Sequence, residues 1–257
     1  IILFGFVQTD TPLFGIEKDL SANIRIAGPI VAVWFIFFSI PFLLKINNFS
    51  KDKNTQKENL FIEVIKNIKS LFSNSNKGRF LLSRMIYTDG LNTLFAFGGL
   101  YAAGTFNMSF SEIIIFGILI NITAGLGALF FSYIEDKVGP KYVINLSLIF
   151  LIVIGSITLF LNSKEWFLVF GSALGFFIGS IQSSSRSFMS RYIVNGNNAE
   201  TFGIYAVSGK CTAFLGPAIL ALIVTIFDSQ RVGMASIIVF FLLGFFLLQR
   251  VIEPKHY

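Results

Sequence analysis

Residues 112–161 read EIIIFGILINITAGLGALFFSYIEDKVGPKYVINLSLIFLIVIGSITLFL, two apolar runs on either side of a short charged loop. Each run, 112–134 and 142–161, is long enough to cross a hydrocarbon core of ~30 Å as a helix that rises ~1.5 Å per residue. Neither run alternates polar and apolar residues with a period of two, which argues against a β-barrel. The stretch therefore predicts two transmembrane helices joined by a tight turn.

The composition of the whole chain agrees with a membrane protein. Of 257 residues, 54% are hydrophobic and 13% are charged, whereas a soluble domain carries roughly 25% charged residues. So little charge excludes a soluble enzyme, a nucleic-acid-binding domain and a disordered tail. One cysteine, Cys211, and one histidine, His256, also exclude a disulfide framework and a metal site rich in Cys or His. We expect neither a metal nor a cofactor.

Seven apolar runs of spanning length predict an all-α membrane protein. We place them at 26–44, 80–103, 112–134, 142–161, 166–190, 201–227 and 232–249. The chain also opens inside a shorter apolar run, 1–7, with no basic start or small-residue cleavage site typical of a signal peptide. We therefore expect a fragment that begins with the remnant of an earlier span.

Lysines and arginines in the loops predict the orientation. One alternate set of loops, 45–79, 135–141, 191–200 and 250–257, holds 13 of them, and the other set holds 4. Because such residues collect on the cytoplasmic side, the long loop and the C-terminus are predicted to be cytoplasmic.

The loop from Lys45 to Arg79 divides the chain. Its first part, 47–59, is polar and predicts a flexible segment. Its second part has apolar residues at helical spacing from 60 to 72, which predicts an amphipathic helix, either on the inner membrane surface or packed under the bundle. The predicted domains are 1–45, the inter-half loop 46–79, a six-helix half 80–250 and a tail 251–257.

Four charged residues lie well inside the predicted spans, at two depths. Arg84 and Arg186 are about four residues from the cytoplasmic end, ~6 Å deep, so each either snorkels to the interface or faces the bundle interior. Asp89 and Lys210 are about nine residues in, ~14 Å deep and close to the midplane. We expect these two to pair in at least one transport state, as a structural salt bridge or as part of transport. Asp89 is the candidate for binding a coupling proton.

Uncharged polar side chains lie at a similar depth. Asn92, Asn121 and Gln182 are candidates for solute binding, because transporter sites lie near the midplane. The alternative is interhelical hydrogen bonding that only holds the bundle together.

Small residues indicate where helices approach or bend. Gly171, Gly175 and Gly179 recur every four residues and form one smooth helix face, suited either to sliding or to static close packing. Pro217 removes one backbone hydrogen bond and predicts a kink in the span 201–227.

The loop motif from Ser132 to Lys141, SYIEDKVGPK, resembles the motif Gly-x-x-x-Asp-Arg/Lys-x-Gly-x-Arg/Lys of the major facilitator superfamily. Ser132 stands where the superfamily has its first glycine. Gly139 permits a tight turn, Asp136 can face a helix N-terminus, and Lys137 and Lys141 stay on the inner side. The resemblance implies two six-helix halves joined by a long cytoplasmic loop, with this motif repeated in the second half.

A narrower resemblance covers almost the whole chain. Six stretches are similar to the vacuole-effluxer family, that is, the autophagy-related effluxers and their bacterial relatives. The stretches are 34–41 (WFIFFSIP), 84–99 (RMIYTDGLNTLFAFGG), 121–127 (NITAGLG), 182–187 (QSSSRS), 202–210 (FGIYAVSGK) and 215–217 (LGP). The resemblance implies a twelve-helix transporter of which this chain is the sixth helix onward, and amino-acid export from the vacuole in the fungal members.

The predicted function is secondary transport of a small solute by alternating access. The chain has no Gly-x-x-x-x-Gly-Lys-Ser/Thr loop for ATP and no clustered His, Cys or paired carboxylates for a membrane enzyme. The alternative is a transporter-like sensor or scaffold that moves no solute. The expected partners are the solute, a coupling proton, the bilayer and the missing N-terminal half, and nucleic acid is not expected. The expected location is a bacterial cytoplasmic membrane, or an endomembrane or vacuole in a eukaryote.

Overall fold

The computed structural model describes residues 25–45, 76–192 and 198–253. The chain divides into two compact units, Ile1–Asn59 and Leu60–Tyr257. The predicted remnant 1–7, most of the outer loop that follows it and the predicted amphipathic helix lie outside the described residues.

The first unit contains one described helix, α1, Ala27–Lys45. Its residues are apolar enough to cross a membrane, and none of them is buried. Pro41 lies inside the helix, and Ser39 donates a hydrogen bond of 2.7 Å to the carbonyl of Phe35. This helix corresponds to the predicted span 26–44.

The second unit is a helical bundle, and its described residues contain no β-strand. Each of five predicted spans corresponds to one helix. These spans are 80–103, 112–134, 142–161, 166–190 and 232–249. The helices are α2 Asn76–Phe106, α3 Phe110–Val138, α4 Pro140–Phe160, α5 Lys164–Ser190, α6 Asn198–Ser208, α7 Leu215–Phe227 and α8 Gln230–Gln249. Within the described residues, α1, α3, α4, α5 and α8 are both long and apolar enough to cross a membrane. Helix α2 has 31 residues and is not one of these five.

The predicted continuous span 201–227 is wrong. The chain leaves the helix after Ser208, forms turns from 209 to 214 and resumes as α7 at Leu215. Pro217 therefore lies in the first turn of α7 and not in a kink. The reason is steric: a proline ring clashes with the carbonyl four residues earlier in a continuous helix but is tolerated in a first turn.

Serine caps begin the three helices of the second unit that follow predicted outer loops. The side chains of Ser109, Ser163 and Ser229 each accept a hydrogen bond from a backbone N–H three residues later, at 3.4, 3.4 and 3.5 Å. Each such cap contributes about 1 kcal/mol to its helix. At the same end, Lys164 of α5 forms a salt bridge of 2.6 Å with Glu112 of α3.

Close packing joins α5 to α3. A Cβ atom at Gly175 would lie 2.5 Å from the carbonyl oxygen of Ile120, and one at Gly179 would overlap the carbonyl of Ala124. Thr123 of α3 also donates a hydrogen bond of 2.8 Å to the carbonyl of Ser172. The predicted glycine face is therefore a helix–helix contact. Helix α5 packs on α4 as well, and α8 packs on α2, α4 and α7.

Candidate functional site

A polar cavity of about 200 Å³ lies between α2, α5 and α6. Helix α2 lines it with positions 84, 87, 88, 91 and 92, and α5 lines it with positions 182, 185 and 186. These spacings of three and four place each set on one helix face. The cavity thus brings together four candidates: Arg84, Asn92, Gln182 and Arg186.

Arg84 turns into the bundle and binds the end of α6. Its Nη1 donates to the carbonyl oxygen of Tyr205 at 2.7 Å and to Oγ of Ser208 at 2.8 Å. Its guanidinium carbon also lies 3.4 Å from the centroid of the Tyr205 ring, a cation–π contact. Arg84 therefore faces the bundle interior and does not snorkel.

The other cavity residues differ in exposure. Arg186 and Gln182 are exposed and Asn92 is half-buried. Tyr87 is only 1% exposed, and its hydroxyl lies 2.7 Å from that of Ser185, which ties α2 to α5. No acidic side chain is found among the described residues that line the cavity, so two arginines set its charge.

The lining residues that were not singled out as candidates from the sequence include Tyr87, Ser185 and Tyr205. For Tyr87 and Ser185, the sequence contains a spacing that could have pointed to the cavity. Tyr87 lies three residues after Arg84, and Ser185 lies three residues after Gln182, so each shares a helix face with a candidate. Tyr205 comes from the separate helix α6, and periodicity within α2 or α5 does not point to it.

Asp89 lies outside this cavity and contacts α7. It is 2% exposed, and its Oδ2 accepts a hydrogen bond of 3.1 Å from the backbone N–H of Gly216. Its Oδ1 is buried and has no hydrogen-bond partner in the part of the chain that the structure describes. Thr93 packs beside it and donates to the Asp89 carbonyl at 2.7 Å.

Lys210 lies in the turns between α6 and α7, and it is exposed. Within the described part of the chain, it forms no salt bridge with Asp89. The expected pair is therefore not formed in this structure. The physical reason is the break in the span: Gly216 at the start of α7, and not Lys210, reaches the carboxylate. A pair in another transport state stays a prediction.

Asn121 lines a second, apolar cavity of about 230 Å³ among α2, α3, α4, α5 and α8. Its side chain donates to the carbonyl of Gly117, one turn earlier on its own helix, at 2.8 Å. It is exposed and is not among the residues that line the polar cavity. Leu94 and Phe95 of α2 and Ile178 of α5 also line the apolar cavity.

The loop motif forms a one-residue turn. Helix α3 ends at Val138, Gly139 has φ 87° and ψ 157°, and α4 begins at Pro140. Such a backbone conformation is open essentially to glycine alone. Asp136 and Lys137 are exposed, whereas Glu135, not singled out from the sequence, accepts a hydrogen bond from Ser184 of α5.

The segment after α8 ties the same end of the bundle together. Lys141 donates to the carbonyl of Val251 at 2.5 Å, and Arg191 forms a salt bridge of 2.6 Å with Glu253. The N–H of Ile252 donates to the side chain of Asn76 at 2.7 Å. The described part of the predicted tail therefore connects the start of α2, the α3–α4 turn and the end of α5.

Comparison with known proteins gives matches along nearly the whole chain. The family model described as vacuole effluxer Atg22 like matches residues 2–256. An uncharacterized MFS-type transporter, YxiO of Bacillus subtilis, is 21% identical over 252 residues, which are 93% of this chain and 56% of the relative. Autophagy-related protein 22 of Vanderwaltozyma polyspora is 28% identical over 82% of this chain and 47% of the relative. The same-named protein of Cryptococcus neoformans is 24% identical over 89% and 44%.

The apolar helices and these relatives define an integral multi-pass membrane protein with the helical bundle of the major facilitator superfamily. Within that class, the chain belongs to the vacuole effluxer Atg22-like family, whose model covers nearly all of its residues. The family resemblance read from the sequence is therefore confirmed. The chain spans about half the length of the curated relatives it matches.

Proposed function

We propose that this chain forms one half of a secondary transporter that moves a small solute by alternating access, with amino-acid efflux as the candidate activity. The observation that carries the proposal is the polar cavity with its two arginines. The membership in a family named for effluxers supports transport as the function. The half-length match supports a second half, which would supply the opposite wall of a central site.

The chemistry of the polar cavity suits a carboxylate. Guanidinium groups present planar pairs of N–H donors that match carboxylate oxygens. Arg186 is exposed on α5, and Gln182 one turn earlier adds an amide. Arg84 uses Nη1 for α6, which leaves its other N–H donors for a ligand.

The apolar cavity extends the site for an amphiphilic solute. Leu91 of the polar cavity and Leu94 and Phe95 of the apolar cavity follow one another on α2. On α5, Ile178 lines the apolar cavity and Gln182 the polar one, one turn or ~5.4 Å apart. A solute with a carboxylate at one end and an apolar side chain at the other would place its carboxylate in the polar cavity and its side chain in the apolar cavity.

Asp89 is the proposed carrier of a coupling proton. Its carboxylate is buried at the predicted midplane, and one of its oxygens has no hydrogen-bond partner among the described residues. Carboxyl groups inside the spans of pumps and transporters form proton relays. Asp89→Asn is therefore expected to keep downhill exchange of solute and to lose accumulation driven by a pH gradient.

The test is transport by the complete polypeptide in proteoliposomes, screened over the amino acids with and without a pH gradient. Arg186→Gln is expected to raise KM roughly tenfold or more, since a charge-assisted hydrogen bond is lost. Arg250→Gln is the matched control, because Arg250 is exposed at the end of α8, away from both cavities. Amino-acid amides should compete poorly, because they lack the carboxylate. A wild-type protein that moves none of these solutes would favour the sensor or scaffold.

A further inference from the structure

The two ends of the α6–α7 break both face α2. Helix α6 ends at Ser208 and α7 begins at Leu215. Arg84 binds the carbonyl of Tyr205 and the hydroxyl of Ser208 in the last turn of α6. Asp89, five residues further along α2, binds the N–H of Gly216 in the first turn of α7.

The charges match the ends that they contact. The last carbonyl groups of a helix have no intrahelical partner and carry partial negative charge, and the first N–H groups carry partial positive charge. The cation Arg84 lies at the carbonyl end of α6, and the carboxyl group of Asp89, which accepts through Oδ2, lies at the N–H end of α7. A break inside a membrane exposes both kinds of orphan group, and α2 compensates both.

Two glycines make room for these contacts. A Cβ atom at Gly209 would lie 2.8 Å from Nη1 of Arg84. A Cβ atom at Gly216 would lie 3.0 Å from the carbonyl oxygen of Asp89 and 3.3 Å from its Oδ1. A larger residue at Gly209 would displace the Arg84 guanidinium from the end of α6, whereas one at Gly216 would clash with α2 itself at Asp89 and Thr93.

We propose that Arg84 and Asp89 are positioning residues that clamp the break in the span from α6 to α7. Arg84 holds the end of α6 and Asp89 holds the start of α7, so the turns that carry the exposed Lys210 stay at a defined place beside the polar cavity. Because Arg84 also lines that cavity, the clamp and the cavity share one side chain. The clamp itself requires no solute and goes beyond the proposed function.

Hydrogen exchange of the complete polypeptide in lipid nanodiscs tests the clamp. Arg84→Gln is expected to speed exchange about fivefold in peptides that end before Thr212, the size expected for loss of a helix cap. Asp89→Leu is expected to speed exchange about fivefold in peptides that begin after Thr212. Asp89→Asn keeps an oxygen for the Gly216 N–H and should have a smaller effect. The proposal is wrong if Arg84→Gln and Asp89→Leu leave the exchange rate of these peptides unchanged, or if they raise the exchange rate of α4 by the same factor.

Arg186→Gln is the matched control for exchange, because it removes an arginine from the same cavity. Among the described residues, Arg186 makes no hydrogen bond or salt bridge to α6 or α7. Exchange on both sides of Thr212 should therefore stay at the wild-type rate. If Arg186→Gln raises the exchange rate on both sides of Thr212 as much as Arg84→Gln does, then the charge of the cavity, and not the clamp, stabilises the turns between α6 and α7.

A transport readout separates positioning from solute binding. Ser208 is not a lining residue, and Ser208→Ala removes one acceptor of Arg84 while Arg84 keeps the Tyr205 carbonyl. Vmax should therefore change while KM is retained, and Ser208→Thr should restore Vmax. Arg186→Gln should instead raise KM. A raised KM or unchanged transport in Ser208→Ala would count against the clamp. A wild-type protein that transports no amino acid would contradict the proposed function alone, because hydrogen exchange still decides the clamp.

Discussion

Gly175→Ala tests the contact between α3 and α5 directly. The added methyl group would lie 2.5 Å from the carbonyl oxygen of Ile120 and 3.0 Å from its Cα. Ordinary van der Waals contact begins at 3.4 Å, so the two helices must separate by about 0.9 Å, the shortfall at the carbonyl oxygen. Backbone atoms of a packed helix cannot rotate away as a flexible side chain can.

The expected cost follows from two opposing effects. Overpacking of this kind costs typically ~1–3 kcal/mol, and replacing glycine by alanine in a helix returns about 0.8–1.0 kcal/mol of propensity. The net effect is a destabilisation of up to about 2 kcal/mol. Thermal unfolding of the purified protein in detergent, followed by loss of soluble monomer, should show a lower midpoint.

Gly125→Ala is the matched control on the partner helix. A Cβ atom at Gly125 meets nothing within 4 Å, so this variant keeps the gain in propensity without a clash. It should unfold at the wild-type temperature or slightly above it. If Gly175→Ala proves as stable as Gly125→Ala, the close approach of α3 and α5 is refuted.

Three other predictions concern topology, the midplane charges and the one-residue turn. A cysteine at Asp136 should be shielded from an impermeant maleimide added outside, and one at Asn107 should react, because the loop charges place them on opposite sides; equal labelling would refute the orientation. Asp89→Asn and Lys210→Gln should change thermal stability additively, because the Asp89 carboxylate accepts its hydrogen bond from the N–H of Gly216 and not from Lys210. A double variant more stable than Asp89→Asn alone would instead indicate an ion pair between Asp89 and Lys210. Gly139→Ala should lower the unfolding midpoint, because φ 87° disfavours alanine and its Cβ would lie 2.6 Å from Glu253; an unchanged midpoint would contradict the turn geometry.

The positions of most helices along the chain could be predicted from local composition. A run of apolar residues of spanning length is stable as a helix in lipid whatever its neighbours are, since only internal hydrogen bonds satisfy its backbone. For that reason the described helices lie within a few residues of the predicted spans 26–44, 112–134 and 232–249. The face of α2 that lines the polar cavity was also readable, because Arg84 and Asn92 recur at helical spacing.

The fifth span after the long loop shows where local composition fails. The run 201–227 is apolar enough to predict one helix, yet it forms two. Pro217 and two glycines permit a break, but they do not locate it. Its place between Ser208 and Leu215 coincides with the contacts that Arg84 and Asp89 make from α2, more than 100 residues earlier in the chain.

By itself, the sequence determined that this is an all-α membrane protein and which family it resembles, because these depend on residue type and spacing along the chain. Only the tertiary structure decided that Asp89 pairs with the N–H of Gly216 and not with Lys210, and that Asn121 belongs to the apolar cavity. The physical reason is that a partner is set by the rotation and approach of helices distant in sequence. Depth along each helix can be counted in residues, whereas the direction toward a neighbour cannot.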